Sequence, residues 1–360
     1  MSKTSEVSKV IDSLRKTYGK SIPDVNEAGI VKRLILSSPK LNHIFSGGYP
    51  LGRITEMYGS ESGGKSVLSA YIGGQFQQRA DSDQRTVVYV DMEQAFDKNY
   101  AETAGLDCNE NFVLIQPLNG EEAFTMLDSL IKTGEIGFIV WDSTTTTPTA
   151  AAMEDEFGKA SFGGAGKLFS EGLKKLNPYI ARYGVSMNLL TQMRAKMGFK
   201  SYGPPDTPSG GGYSPKFYAS WRARISKGEE ILNGKEVIGN QIKIKNSKSK
   251  IGFPKREATL DLYYGSGFNS DTEYIDFLIA LGIVKKAGSW FSQEEWKYRA
   301  QGTSSLLTFL QNRPDIFERV KAEVNGTFNT LSILDDPDAV STDDDLPLEE
   351  DTSEEVSSEE

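Results

Sequence analysis

The chain is poorest in the residues that build disulfides and zinc sites: it holds one cysteine, Cys108, and one histidine, His43, among 360 residues. A lone cysteine closes no internal disulfide, and the pair leaves no His/Cys cluster for zinc. Both read as ordinary packing or surface groups. No apolar run approaches the length needed to cross a bilayer. Met1–Val10 are polar and mixed in charge, without a signal-peptide pattern. These absences predict a reducing, cytoplasmic setting with no membrane contact. There is no internal repeat. Basic residues are missing from the last stretch: residues 335–360 carry thirteen Asp and Glu and no Lys or Arg, so the net charge of −10 becomes +3 for residues 1–334. The acidity belongs to a tail too poor in apolar groups to fold, and the mildly basic body does not exclude nucleic acid.

Val7, Val10, Ile11, Leu14 and Tyr18 fall on one face of a helix over residues 7–18, ended by Gly19 and Pro23. Such a stripe must be buried, either by folding back or by docking on a neighbouring subunit. From Arg53 to about Leu262, strand-like and helical runs alternate, which predicts an α/β fold with a mostly parallel sheet covered on both faces. Two glycine-rich breaks interrupt it, at about 154–166 and 193–213. Loops this long inside a compact domain are usually functional or disordered. Residues 268–330 read as mainly helical and as a small separate domain.

Gly59-Ser60-Glu61-Ser62-Gly63-Gly64-Lys65-Ser66 fits G-x-x-x-x-G-K-[ST]. Glycines let backbone N–H groups curl around phosphate oxygens, and the following helix turns its positive end toward them. Lys65 supplies a cation for the β/γ-phosphates, and Ser66 a hydroxyl for Mg²⁺. Ile54–Tyr58 reads as the strand before the loop, and residues from Lys65 to about Arg79 as the helix after it. Asp142 ends the apolar strand Ile136–Trp141, where a carboxylate can hold a Mg²⁺-bound water. Asp91 and Glu93 both follow another strand and could polarise an attacking water; spacing does not separate them. Gln192 ends the strand entering the second break, as a γ-phosphate sensor or a plain polar strand end. Lys243, Lys245, Lys248 and Lys250 form a basic cluster, either a solvated face or a phosphate contact.

In this order, the elements resemble the RecA family of DNA strand-exchange recombinases over about residues 5–335. The most specific passages are Leu51-Gly52-Arg53-Ile54, Asp91-Met92-Glu93-Gln94-Ala95-Phe96-Asp97 with Tyr100, and Trp141-Asp142-Ser143. Others are Gln192-Met193-Arg194, Gly211-Gly212 with Lys216-Phe217-Tyr218-Ala219-Ser220, Lys248-Ser249-Lys250-Ile251, and Lys286-Ala287-Gly288-Ser289-Trp290-Phe291. Phage-encoded recombinases of UvsX type are a weaker match. The resemblance implies a RecA-type P-loop ATPase core with an N-terminal helix arm and a small α/β C-terminal domain. The expected divisions are 1–32 for the arm, 33–267 for the core, 268–334 for the C-terminal domain and 335–360 for the tail.

The resemblance also implies roles. Glu93 rather than Asp91 matches the water-activating glutamate, and Gln192 the glutamine coupling the γ-phosphate to the second DNA loop. Asp97 and Tyr100 match adenine-contacting positions. Lys248 and Lys250 match lysines reaching the ATP of the next subunit, and Phe217 an interface residue. The two breaks look like DNA-binding loops, with Phe162 and Met197 as wedges between base triplets. Arg194, Lys196, Lys167 and Lys174 would contact phosphates, and Gly211 and Gly212 would let backbone approach DNA. Implied cofactors are ATP and Mg²⁺. Implied partners are single-stranded DNA, double-stranded DNA, further copies in a helical filament, and single-strand-binding and mediator proteins, in a bacterial cell or a phage-infected host. Lys159, Gln94 and a longer, proline-richer second loop depart from the family pattern. The competing readings are a ring-forming DNA motor on the same core and an ATP-binding accessory paralogue. Retention of Glu93, Lys248 and Lys250 argues against the second.

Overall fold

The computed structural model describes residues 3–23, 30–79, 85–154, 164–193, 212 and 214–328. An N-terminal helix spans Lys3–Tyr18. Its stripe stays exposed: Val7, Val10 and Tyr18 each keep more than half their surface in solvent. The stripe is therefore not buried by folding back within one chain.

The strands are β1 (Arg33–Leu34), β2 (Tyr49–Pro50), β3 (Ile54–Gly59), β4 (Thr86–Asp91), β5 (Phe112–Ile115), β6 (Ile136–Asp142) and β7 (Ser186–Gln192). Then follow β8 (Trp221–Asn233), β9 (Glu236–Ser249), β10 (Glu257–Tyr263) and β11 (Gly267–Phe268). Nine of them form one sheet in the order β11-β10-β9-β8-β3-β7-β6-β4-β5. From β8 to β5 neighbouring strands are parallel, and from β8 to β11 they are antiparallel. Parallel strands need crossovers, and the intervening helices supply them.

Period-two alternation divides the sheet's apolar residues between two cores. Val87, Tyr89, Phe138 and Val140 pack with Val67, Leu68, Ile72 and Phe76 of the helix Lys65–Gln77. Val88, Val90, Ile139 and Trp141 pack on the other side with Phe124 and Leu127 of Gly120–Lys132 and Phe169 and Leu173 of Gly164–Tyr183. Trp141 is fully buried between Phe124 and Phe169, at ring distances of 4.7 and 5.2 Å. Its indole N–H donates to the Thr147 hydroxyl at 3.0 Å. Helices on both faces explain why β4 and β6 read as nearly continuous apolar runs.

Residues 268–328 hold the helices the sequence pattern predicts and, in addition, strands that make them the small α/β domain the resemblance implies. Between the helices Glu273–Ala280 and Thr303–Gln311 lies a three-stranded antiparallel sheet of β12 (Lys285–Ala287), β13 (Trp290–Gln293) and β14 (Tyr298–Gln301). These strands are three or four residues long and largely exposed, so they carry no apolar alternation to betray them. A last helix, Pro314–Thr327, closes a separate apolar cluster around Phe277, Leu310 and Phe317.

The join to the sheet domain is polar and buried. His43 has no solvent exposure and lies against the Phe277 and Phe328 rings. Buried Arg256 donates to the His43 carbonyl at 2.7 Å. Burial, with Arg256 adding to it, holds the His43 imidazole down at about 4. Glu273 is also buried; its Oε2 accepts from the Ser38 hydroxyl at 2.5 Å and the Lys40 N–H at 3.3 Å. Burial pushes its carboxyl up to about 7 against the lowering effect of those bonds. Among the described residues, no helix is long and apolar enough to cross a membrane.

Candidate functional site

At the C-terminal end of β3, mid-sheet, the chain turns through Ser60–Gly64 into the helix Lys65–Gln77. The space around the loop dictates its composition. A Cβ on Gly59 would sit 1.9 Å from the Ile225 carbonyl oxygen, so that position admits only glycine. Gly64, the helix N-cap, has φ +96, in the left-handed region that favours glycine. Backbone N–H groups of such a loop and the positive N-terminal end of the helix that follows it are the chemistry that holds polyphosphate.

Lys65 is buried, and its ammonium donates to the Ser60 carbonyl at 2.7 Å and the Gly59 carbonyl at 3.3 Å. Burial lowers its pKa, while Asp142, Glu93 and Glu61 pull it back up. The Ser66 hydroxyl and the Tyr89 phenol both donate to Asp142 Oδ2 at 2.7 Å. Burial raises the Asp142 carboxyl, Glu93 adds to that, and the two hydroxyl bonds and Lys65 oppose it. A hydroxyl and a carboxylate held this close at the loop's edge are a fitting oxygen donor pair for Mg²⁺.

Geometry now separates the two carboxylates that spacing left equal. Asp91 is buried and committed to the turn after β4: it accepts from Glu93 N (3.1 Å), Phe96 N (3.0 Å) and Gln116 Nε2 (2.9 Å). Glu93 is exposed, and its Oε1 accepts from Gln192 Nε2 at 2.6 Å and Ser143 Oγ at 2.7 Å. Gln192 lies opposite Gly59 in the β3–β7 register, and Met193 N donates to the Gly59 carbonyl at 2.9 Å. Glu93, Gln192, Asp142, Lys65 and Ser66 thus surround one mouth.

Asp97 caps the helix Lys98–Thr103, accepting from Tyr100 N at 3.0 Å. The exposed Tyr100 ring neighbours exposed Tyr264, which adds to the burial that raises the Tyr100 phenol. Tyr264, 164 positions from Tyr100, was not among the residues singled out by sequence, and no local motif marks it.

Lys248 lies near the end of β9, and Lys250 is the first residue after it. Lys248 donates to the carbonyls of Lys216 and, at 2.8 Å, Ala219; Lys250 donates to that of Phe217 at 3.0 Å. They tie down the end of the short helix Ser214–Tyr218 and hold Phe217, 68% exposed, out in solvent. Burial, with Lys250 adding, lowers Lys248 to about 8. Lys167 and Lys174 are exposed along the helix Gly164–Tyr183. A Cβ on Gly212, at φ +66, would come 2.9 Å from Gly166 Cα, so the far ends of the two glycine-rich breaks touch. Phe162, Arg194, Lys196, Met197 and Gly211 lie outside the described residues.

A glycine loop between a central parallel strand and a helix, with serine, aspartate and glutamate at adjoining strand ends, defines a P-loop ATPase. The family model described as RecA N-terminal domain matches residues 6–269, and that described as RecA C-terminal domain matches residues 272–329. A protein named Protein RecA from Lactobacillus johnsonii is 34% identical over 313 residues, 86% of this chain and 85% of its own. One from Chloroherpeton thalassium is 34% identical over 326 residues, 89% of each chain. One from Ruminococcus albus is 36% identical over 281 residues, 78% of this chain and 69% of its own. The chain belongs to the RecA family, the DNA-dependent ATPases of homologous recombination and repair.

Proposed function

We propose that the protein forms a helical filament on single-stranded DNA and pairs that strand with homologous duplex, with each ATP bound between neighbouring subunits. The observation that carries this is the split in the predicted site. Glu93 and Gln192 bond to each other at the end of the P-loop strand, while Lys248 and Lys250 bond to the backbone of the Lys216–Ala219 turn beside exposed Phe217. Lysines so placed suit the P-loop of the next copy. The exposed stripe of the N-terminal helix suits a contact with that copy as well.

In this reading the residues of 59–66 cradle the triphosphate, and Lys65 holds the β/γ-phosphates. Tyr100 and Tyr264 flank the adenine, with Asp97 fixing the Tyr100 turn. Ser66 and Asp142 would hold Mg²⁺, which when bound supplies positive charge to the phosphate oxygens. Glu93 orients and deprotonates the attacking water. Gln192, which shares Glu93 Oε1 with Ser143, changes partner when the γ-phosphate is present and passes that to the loop it begins. Lys167, Lys174, Arg194 and Lys196 take DNA phosphates, Phe162 and Met197 unstack bases, and Gly211 and Gly212 allow close backbone approach. Base unstacking costs a few kcal/mol per step and is offset by contacts to the stretched strand. Such binding is indifferent to sequence. The reading keeps the divisions 1–32, 33–267, 268–334 and 335–360, a cytoplasmic setting, and single-strand-binding and mediator proteins as helpers.

The test is a strand-exchange assay with ATP on wild type and Lys65→Ala. Wild type is expected to join homologous strands and Lys65→Ala to fail. Wild type that hydrolyses ATP on DNA yet never pairs homologous strands refutes the recombinase reading in favour of a DNA motor.

A further inference from the structure

Under the P-loop mouth lies a row of polar side chains that none of the roles above uses. Glu56 lies on β3, three residues before Gly59, and is 2% exposed; Arg222 on β8 is 8% exposed. They are register partners, and Arg222 Nε donates to Glu56 Oε2 at 2.5 Å. The guanidinium lies over the Tyr58 ring, 3.8 Å from its centre. The other carboxylate oxygen, Oε1, accepts from the Thr191 hydroxyl at 3.0 Å. Thr191 has one hydroxyl proton and gives it to Glu56, so at the 2.9 Å contact with Thr144 it is Thr144 that donates.

Each end of this row touches one half of the site. Thr191 precedes Gln192, and Thr144 follows Ser143, whose hydroxyl holds Glu93. On the other side Arg222 is the register partner of Lys248, and its carbonyl accepts from Ser247 Oγ at 3.2 Å. The charges of Glu56 and Arg222 both act on Lys248. Thr144, just past the end of β6, and Thr191, Glu56, Arg222 and Lys248 on β7, β3, β8 and β9 thus follow one another across strands that are adjacent in the sheet.

We propose that Glu56, Arg222 and Thr191 are positioning residues that link the Glu93–Gln192 side of one subunit's ATP site to the Lys248–Lys250 segment that the same subunit offers to its neighbour. A buried ion pair with both carboxylate oxygens bonded holds one geometry, because moving either partner leaves a charge without its counterpart. A shift of Gln192 toward a γ-phosphate displaces Thr191, and through Glu56 and Arg222 the lysine segment. Neighbouring sites then respond together. The inference rests on the reading of Lys248 and Lys250 as lysines of the next subunit's site.

Thr191→Val removes the hydroxyl at nearly constant volume, and Thr191→Ser keeps it. DNA-stimulated ATP hydrolysis is measured against ATP concentration for both, alone and combined with Lys250→Ala, with thermal midpoints alongside. Thr191→Val is expected to lower the Hill coefficient and raise the half-saturating ATP concentration about fivefold or more, as allosteric couplings typically do. Thr191→Ser is expected to restore both, and the effect of Thr191→Val to vanish in the Lys250→Ala background. An unchanged Hill coefficient, or the same fold effect with and without Lys250, overturns the coupling. Full hydrolysis by Lys250→Ala alone overturns the interface reading beneath it, a distinguishable failure.

Discussion

Two buried titrating groups at the join between the sheet domain and the C-terminal domain oppose each other across neutral pH. His43 falls from 6.5 to about 4 on folding, so the unfolded chain takes up its proton first. The stability it contributes is complete above pH 6.5 and is lost as pH falls toward 4. Glu273 rises from 4.5 to about 7, so the folded chain takes up its proton first. Its contribution is complete below pH 4.5 and is lost as pH rises through 7. At 1.36 kcal/mol per pH unit, lowering pH from 8 to 5 costs about 2 kcal/mol through His43 and returns about 2.5 kcal/mol through Glu273. The wild-type profile is therefore flat in these two groups, and each substitution exposes the other. Glu273→Gln keeps the shape and a bond to Ser38, and its stability is expected to fall by about 2 kcal/mol from pH 8 to 5 through His43, which is about 2.5 kcal/mol more than the change in wild type. His43→Gln is expected to gain over the same interval. Urea titrations at four pH values, without nucleotide or DNA, read these differences as shifts in midpoint. Profiles for both variants parallel to that of wild type would refute the reasoning, because neither group would then titrate differently in the folded chain.

Other consequences are simpler. Gly59→Ala places a methyl group against the Ile225 carbonyl and is expected to destabilise the fold by about 1–3 kcal/mol or more, read by thermal denaturation. Lys65→Ala removes a buried cation from the loop and is expected to cut DNA-stimulated phosphate release by about 100-fold or more. Deleting residues 335–360 takes away thirteen acidic side chains that compete for the basic body, so duplex binding at low Mg²⁺ is expected to strengthen. Unchanged binding in a filter or fluorescence assay would count against a competing tail.

What was legible in the sequence was local. The P-loop lies within eight consecutive residues whose types follow from the backbone they must form. The alternation of β-branched strands and amphipathic helices marked the parallel part of the sheet because both faces are covered. Distance along the chain hid the rest. Asp91 and Glu93 differ through bonds to Gln116 and Gln192, which spacing cannot pair. Glu56 and Arg222 are 166 positions apart, and each alone is a charged residue in an apolar run. Tyr264 acquires meaning only beside Tyr100. The pairing of β8 with β9 had one local sign, the Asn233-Gly234 dipeptide at the turn, with Gly234 at φ +64. The sheet β12–β14 had none, since its exposed strands bury too little to impose a pattern.

The central claim, that Glu93 of one subunit and Lys250 of the next complete one ATP site, is tested by mixing two impaired variants. Glu93→Gln keeps its lysines, and Lys250→Ala keeps its glutamate. In an equal mixture, random assembly on single-stranded DNA joins an intact Glu93 to an intact Lys250 at about a quarter of the interfaces. The account predicts that DNA-stimulated ATP hydrolysis, weak for either variant alone, recovers to about a quarter of the wild-type rate in the mixture. A mixture no more active than the average of its two components would contradict it.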